Sequence, residues 1–171
     1  MTRHLFLILA VATALSAGAQ ALPASTFAFD FDVDLPGTPD EMYDALTGDI
    51  SGWWDHTMSG NPVRLEIQAR PGGQFLEVFD GTGDGVVHAT VTYAQRGKLL
   101  RMEGPLGLAG FALHLVTTYT LTPIDTGCRL NVAVHGAGEV HEGWPALVEK
   151  TWRHFIEDRF LAYVQAGRHL D

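Results

Sequence analysis

Three side chains able to move protons or hold a metal ion fall in successive segments of this chain: His56, Glu77 and His88. An imidazole and a carboxylate that reach the same ligand form a general acid/base pair for a bound carbonyl compound. Two histidines and a glutamate also make a three-ligand metal site with an open position. Their spacing matches no metal or catalytic motif, so either chemistry requires that the fold bring the three together. A histidine on a strand also has an ordinary structural reading, and no metal or cofactor is expected. The run Asp80-Gly81-Thr82-Gly83-Asp84-Gly85 is acidic and glycine-rich. It lacks the spacing and closing acidic ligand of an EF-hand, and the lysine and following helix of a phosphate loop. It reads as a hairpin turn. No Gly-x-Ser-x-Gly elbow occurs, and Cys128, the sole cysteine, carries no nucleophile signature and permits no intramolecular disulfide. It reads as a small buried hydrophobe. His135, His141, His154 and His169 read as surface or hydrogen-bonding residues.

The elements that must position these groups are legible from periodicity. Phe27, Phe29, Phe31, Val33 and Leu35 alternate with Ala28, Asp30, Asp32 and Asp34, the period of a half-buried strand. Thr38-Pro39-Asp40-Glu41 supplies an N-cap, a first-turn proline and early acidic residues, predicting a helix to about Thr47 that Gly48 ends. A second short helix is predicted over Ile50 to Asp55. It carries the adjacent Trp53 and Trp54, which point to opposite sides of most backbones, so that one enters the core while the other walls a pocket.

From Val63 the strand pattern returns, broken by turns at Pro71-Gly72-Gly73, at Asp80 to Gly85, at Arg96-Gly97-Lys98 and at Asp125-Thr126-Gly127. This predicts an antiparallel meander. Val87, Ala89, Val91 and Tyr93 fall on one face of a strand, with Val86, His88, Thr90 and Thr92 on the other. Beyond Gly138 the period becomes helical: Trp144, Leu147, Val148, Trp152, Phe155, Ile156, Phe160, Tyr163 and Val164 form an aromatic-rich stripe on a long closing helix.

The first residues predict export. Arg3 precedes an apolar stretch, Leu5 to Ala17, and Ala19-Gln20-Ala21 fits small-residue cleavage. Residues 1–21 therefore read as a signal peptide and 22–171 as one domain. The destination is the periplasm or the exterior, without a permanent membrane anchor. The net charge is −9, and cleavage makes it one unit more negative. Nucleic acid and anionic membrane surfaces are thereby disfavoured as partners.

Several segments carry a resemblance: Ile50-Ser51-Gly52-Trp53-Trp54 with His56-Thr57-Met58-Ser59-Gly60, Pro71 to Glu77, Leu99 to Gly107, and Thr126 to Gly136. In order and type they resemble the START-like helix-grip superfamily, also called SRPBCC or Bet v 1-like, in the branch related to Hsp90 ATPase activator homologues. The resemblance implies an α+β helix-grip fold, with a curved antiparallel sheet wrapped around a long C-terminal helix and two short helices after the first strand. It also implies a mostly apolar pocket between sheet and helix for a small hydrophobic ligand, lipid or polyketide-like. Residues placed at that pocket are Trp53, Trp54, Phe75, Leu106, Phe111, Trp144 and Trp152, with His56, Glu77, His88 and Arg101 as the polar candidates. An enzyme such as a cyclase, hydratase or hydrolase would use His56, Glu77 and His88 there. An Hsp90-activator-like interaction module rests on family analogy alone, and a signal peptide speaks against a cytosolic chaperone partner. Oligomeric state is not legible.

Overall fold

The computed structural model describes residues 24–170; the expected signal peptide lies outside the described residues. No helix among them is long and apolar enough to cross a membrane. Eight strands form one antiparallel sheet: β1 Ala24–Leu35, β2 Gly48–Asp49, β3 Arg64–Ile67, β4 Gln74–Val78, β5 Gly85–Gln95, β6 Leu99–Gly104, β7 Leu113–Ile124 and β8 Gly127–Glu139. Their order is β1-β8-β7-β6-β5-β4-β3-β2, so β2 to β8 follow one another as a meander and β1 closes against the last strand.

Helix α1, Pro39–Leu46, begins as its sequence demands. The Thr38 hydroxyl accepts from the Glu41 amide while the Glu41 carboxylate accepts from the Thr38 amide, a reciprocal capping box. Arg96, in the β5–β6 turn, forks onto Asp44 and reaches Asp40, tying that turn to α1. At the C-terminus Trp144–Arg153 and Leu161–Gln165 are α-helical, and His154–Phe160 between them is π-helical. The three run on as a single helix, α2. Buried residues fall every four positions along it, at Trp152, Ile156, Phe160 and Val164. Four residues overshoot a 3.6-residue turn but nearly complete a wider π turn.

The predicted second short helix is corrected. Ile50 to Asp55 makes one turn, in which the Trp53 and Trp54 amides both donate to the Ile50 carbonyl, before the chain runs on extended. The Ile50 amide is held by the Leu65 carbonyl beyond the short strand β2, so sheet pairing fixes where the turn begins, and the loop after Trp54 is drawn off to the Glu77 carboxylate.

The predicted facing of β5 is corrected as well. Phe75 pairs with Ala89 and Leu76 with Val87, leaving His88 as the extra residue of a bulge. A second shift leaves Thr92 unpaired between Val91 and Tyr93. Each extra residue inverts the alternation. His88, Ala89 and Val91 are therefore all buried, while Val87 and Tyr93 are 42% and 43% exposed.

One core fills the space between sheet, α1 and α2. Within it the Tyr119 hydroxyl is buried with no hydrogen-bond partner among the described residues, and burial pushes its pKa far upward. An unpaired buried hydroxyl carries its desolvation cost without return. Tyr119→Phe is therefore expected to raise stability by about 1 kcal/mol, read from the urea midpoint; a loss of similar size would mean that the hydroxyl has a partner in solution.

Candidate functional site

The β5 bulge aims His88 inward beside Phe75, with ring centroids 4.9 Å apart. Its Nε2 lies 2.9 Å from Oε2 of Glu77 on the neighbouring strand β4. Glu77 is fully buried. It also accepts from the Met58 amide, the Ser59 amide and the Ser59 hydroxyl, each at 2.9 Å. Burial raises the pKa of this carboxyl, but the hydrogen bonds from Met58, Ser59 and His88 together outweigh it and leave the value below the usual 4.5. Glu77 is thus a buried carboxylate that both fastens the loop after Trp54 and orients His88. Because Nε2–H donates to Glu77, Nδ1 is the ring nitrogen of His88 left for another partner. That nitrogen has no partner among the described residues, and it is not one of the sealed, unpaired polar atoms.

His88 borders a cavity of about 330 Å³ between sheet and helix. One wall is α2, with Leu147, Val148, Thr151, Trp152 and Phe155. The others are Trp54 with His56, Thr57 and Met58 on one side and Pro105 to Leu108 with Leu115 on the other. Leu106 sits in that last segment at φ 52°, a backbone region that costs a side chain about 1–2 kcal/mol. Such strain persists where the surroundings enforce it, often beside a ligand. A larger depression of about 830 Å³ beside α1 and the β5–β6 turn is a shallow, open groove without a buried polar group.

Gly104 on β6 makes the bulge possible. A Cβ there would lie 2.5 Å from the His88 carbonyl oxygen and 2.6 Å from Ala89 Cα. Gly104→Ala must therefore push β6 away from the bulge. The expected loss is about 1–3 kcal/mol from overpacking, with the His88 ring signals shifting in the NMR spectrum; unchanged signals would show that the bulge does not depend on this close approach.

The sequence candidates separate into groups. Trp54, His56, His88, Leu106 and Trp152 line the cavity. Glu77 and Phe75 stand directly behind them, Glu77 on His88 and Phe75 edge-on to Trp54 at 4.9 Å. Trp53 is core: it packs on Phe160 and donates from its indole to the Ala45 carbonyl. Phe111 and Trp144 form a separate cluster with His141, at 4.8 Å from each other. Arg101 lies outside the site, on the opposite sheet face, donating to the Thr118 hydroxyl. Alternation accounts for it, since its neighbours Leu100 and Met102 are the buried ones. Cys128 is buried, and burial pushes its thiol up to about 11, which removes it as a nucleophile at neutral pH.

His56 does not join Glu77 and His88. Its Nδ1 lies 2.8 Å from Asp55, and Asp55 also meets Nε2 of His154 from α2, at 2.9 Å. Burial raises the Asp55 pKa, but the bonds to His154 and His56 outweigh it and hold it low. Asp55, His56 and His154 offer ligand atoms within 4.8 Å of one another. Sequence reading missed this group because His154 is 98 residues beyond His56 and looks like any polar helix residue.

No family model matches the chain, and no curated protein matches it. Solved structures do resemble it. An uncharacterized protein from Rhizobium leguminosarum superposes with a TM-score of 0.65 at 12% identity, covering 86% of this chain and 99% of its own. A Mesorhizobium loti protein gives 0.60 at 18%, covering 82% and 98%. A Rhodobacter sphaeroides protein gives 0.58 at 19%, covering 87% and 95%. At these identities the likeness is one of fold.

Proposed function

We propose that this chain is a START-like, helix-grip domain, exported to the periplasm or beyond, that binds a small and mostly apolar molecule in the cavity between sheet and α2. One observation carries the reading. A histidine held by a buried carboxylate borders a cavity otherwise walled by Trp54, Leu106, Leu115, Trp152 and Phe155. Such pockets use apolar walls for affinity and a few polar groups for orientation. A neutral ring accepts at its second nitrogen and selects a ligand with a hydroxyl or N–H. About 330 Å³ is near the lower end of the usual range, which favours a phenolic, polyketide-like compound or a short acyl chain over a long lipid. The apolar N-terminal stretch supports export.

The same dyad supports a second reading, turnover. His88 would take a proton from the bound molecule as general base, with Glu77 stabilising the imidazolium that results. His88→Ala would then abolish conversion of a ligand that it still binds.

The test is native mass spectrometry of the mature protein from its own host, with extraction of what it carries. Wild type is expected to hold a stoichiometric organic adduct. Thr151→Phe, which fills the cavity from α2, should melt like wild type and lose it. An adduct retained by the filled variant, or none in either protein, would overturn the reading.

A further inference from the structure

Beside the mouth of the cavity, the loop after Trp54 and helix α2 bring together a donor set that ligand binding does not require. Asp55 and His56 come from the loop, His154 and Asp158 from one helix face four residues apart. We propose that Asp55, His56 and His154 bind a divalent transition-metal ion of the zinc type.

The distances suit such an ion. His56 Nδ1 is 2.8 Å from Asp55 Oδ1, and His154 Nε2 is 3.2 and 2.9 Å from the two Asp55 oxygens. Tetrahedral zinc bonded at about 2.0–2.1 Å sets its ligand atoms about 3.3 Å apart, so Asp55 need only draw back from each imidazole by a few tenths of an ångström, and the three ligand atoms already lie within 4.8 Å of one another. The donor types are equally selective. Two imidazoles and one carboxylate suit zinc and its neighbours in the transition series, whereas calcium and magnesium require oxygen-rich sites.

The surroundings are arranged as they are around metal-bound histidines. His154 Nδ1 lies 3.2 Å from Asp158 Oδ2. With Nδ1–H donated there, a bound ion replaces the proton on Nε2 that meets Asp55 in the metal-free protein, which leaves the carboxylate–histidine–metal relay that fixes tautomer and ring angle. On the far side Arg159 Nε, 3.2 Å from Asp55 Oδ2, steadies that oxygen and leaves Oδ1 for the ion. Three protein ligands leave one position open. Since His56 also lines the cavity, that position adjoins the ligand space, where it takes water or an oxygen of the bound molecule. Metal binding would thereby clamp the loop to α2. It stands apart from the His88–Glu77 dyad and does not fall with it.

The experiment titrates the chelator-stripped mature protein with zinc chloride by calorimetry and with cobalt(II) by visible absorption. One ion per chain is expected, with the intense cobalt bands of four- or five-fold coordination. His56→Ala and His154→Ala should each abolish saturable binding while melting like the metal-free wild type. Asp158→Asn should weaken it by about 10–100-fold, and His141→Ala, altering a surface histidine paired with Glu139, should change nothing. Absence of saturable binding, or stoichiometric binding that survives both ligand variants, would overturn the proposal.

Discussion

Glu77→Ala is expected to lower folding stability by about 3–5 kcal/mol, the cost of removing one member of a buried, hydrogen-bonded charge set. Nothing replaces the carboxylate as acceptor for the Met58 amide, the Ser59 amide, the Ser59 hydroxyl and His88 Nε2. The loop after Trp54 would lose its anchor and His88 its orientation in the same step. Glu77→Gln keeps the shape and one acceptor oxygen but sets an amide NH₂ against donors, so it should fall between the two. The pH dependence follows from sign. The folded pKa of Glu77 lies below its ordinary value of 4.5, so its contribution is present above that value and is lost as pH falls through the folded pKa. The advantage of wild type over Glu77→Gln in urea denaturation should therefore be flat above about pH 5 and shrink under acid. An advantage that grows under acid would show that Glu77 is protonated in the native protein.

The part of this arrangement that sequence periodicity could reach is the part governed by near neighbours. Phe31, Val33 and Leu35 are buried on β1 as alternation requires. Thr38 caps α1 from within four residues, and the glycine-rich runs at Asp80 to Gly85 and at Asp125 to Gly127 turn the chain between paired strands. The inward aim of His88 was not reachable in that way. Strict alternation sets it opposite Ala89 and Val91, and only the pairing of β5 with β4, joined through a bulge, places all three inside. A bulge is a property of two strands, and here a third, β6, can lie close against it because Gly104 has no Cβ. The same limit hides His154 from Asp55, whereas alternation alone turns Arg101 away from the site. Side-chain type nominated His88; long-range register decided where it points.

The largest effect on the cavity itself is expected from Trp54→Ala. Trp54 is 7% exposed. It stacks on Phe155 at 3.7 Å, meets Phe75 edge-on at 4.9 Å and Trp152 at 6.0 Å, and donates from its indole to the His56 carbonyl at 2.7 Å. Truncating a buried tryptophan costs about 3–5 kcal/mol, because few neighbours can collapse into the space it leaves. Phe75 and Phe155 are held by the sheet and by α2, so this site should lie toward the upper end. The lost wall also joins the ligand cavity to the space in front of Phe75. A bound molecule then loses apolar contact on one side, and larger molecules gain entry. Trp54→Phe separates the two contributions: it restores most of the stacking area, leaves the His56 carbonyl without its indole donor, and should recover most of the stability while loosening the loop that carries His56. Urea midpoints give the first quantity, and the adducts retained in native mass spectrometry give the second. If Trp54→Ala costs less than about 1 kcal/mol and keeps the wild-type adduct, the indole is neither core nor wall, and the cavity must be bounded by other residues in solution.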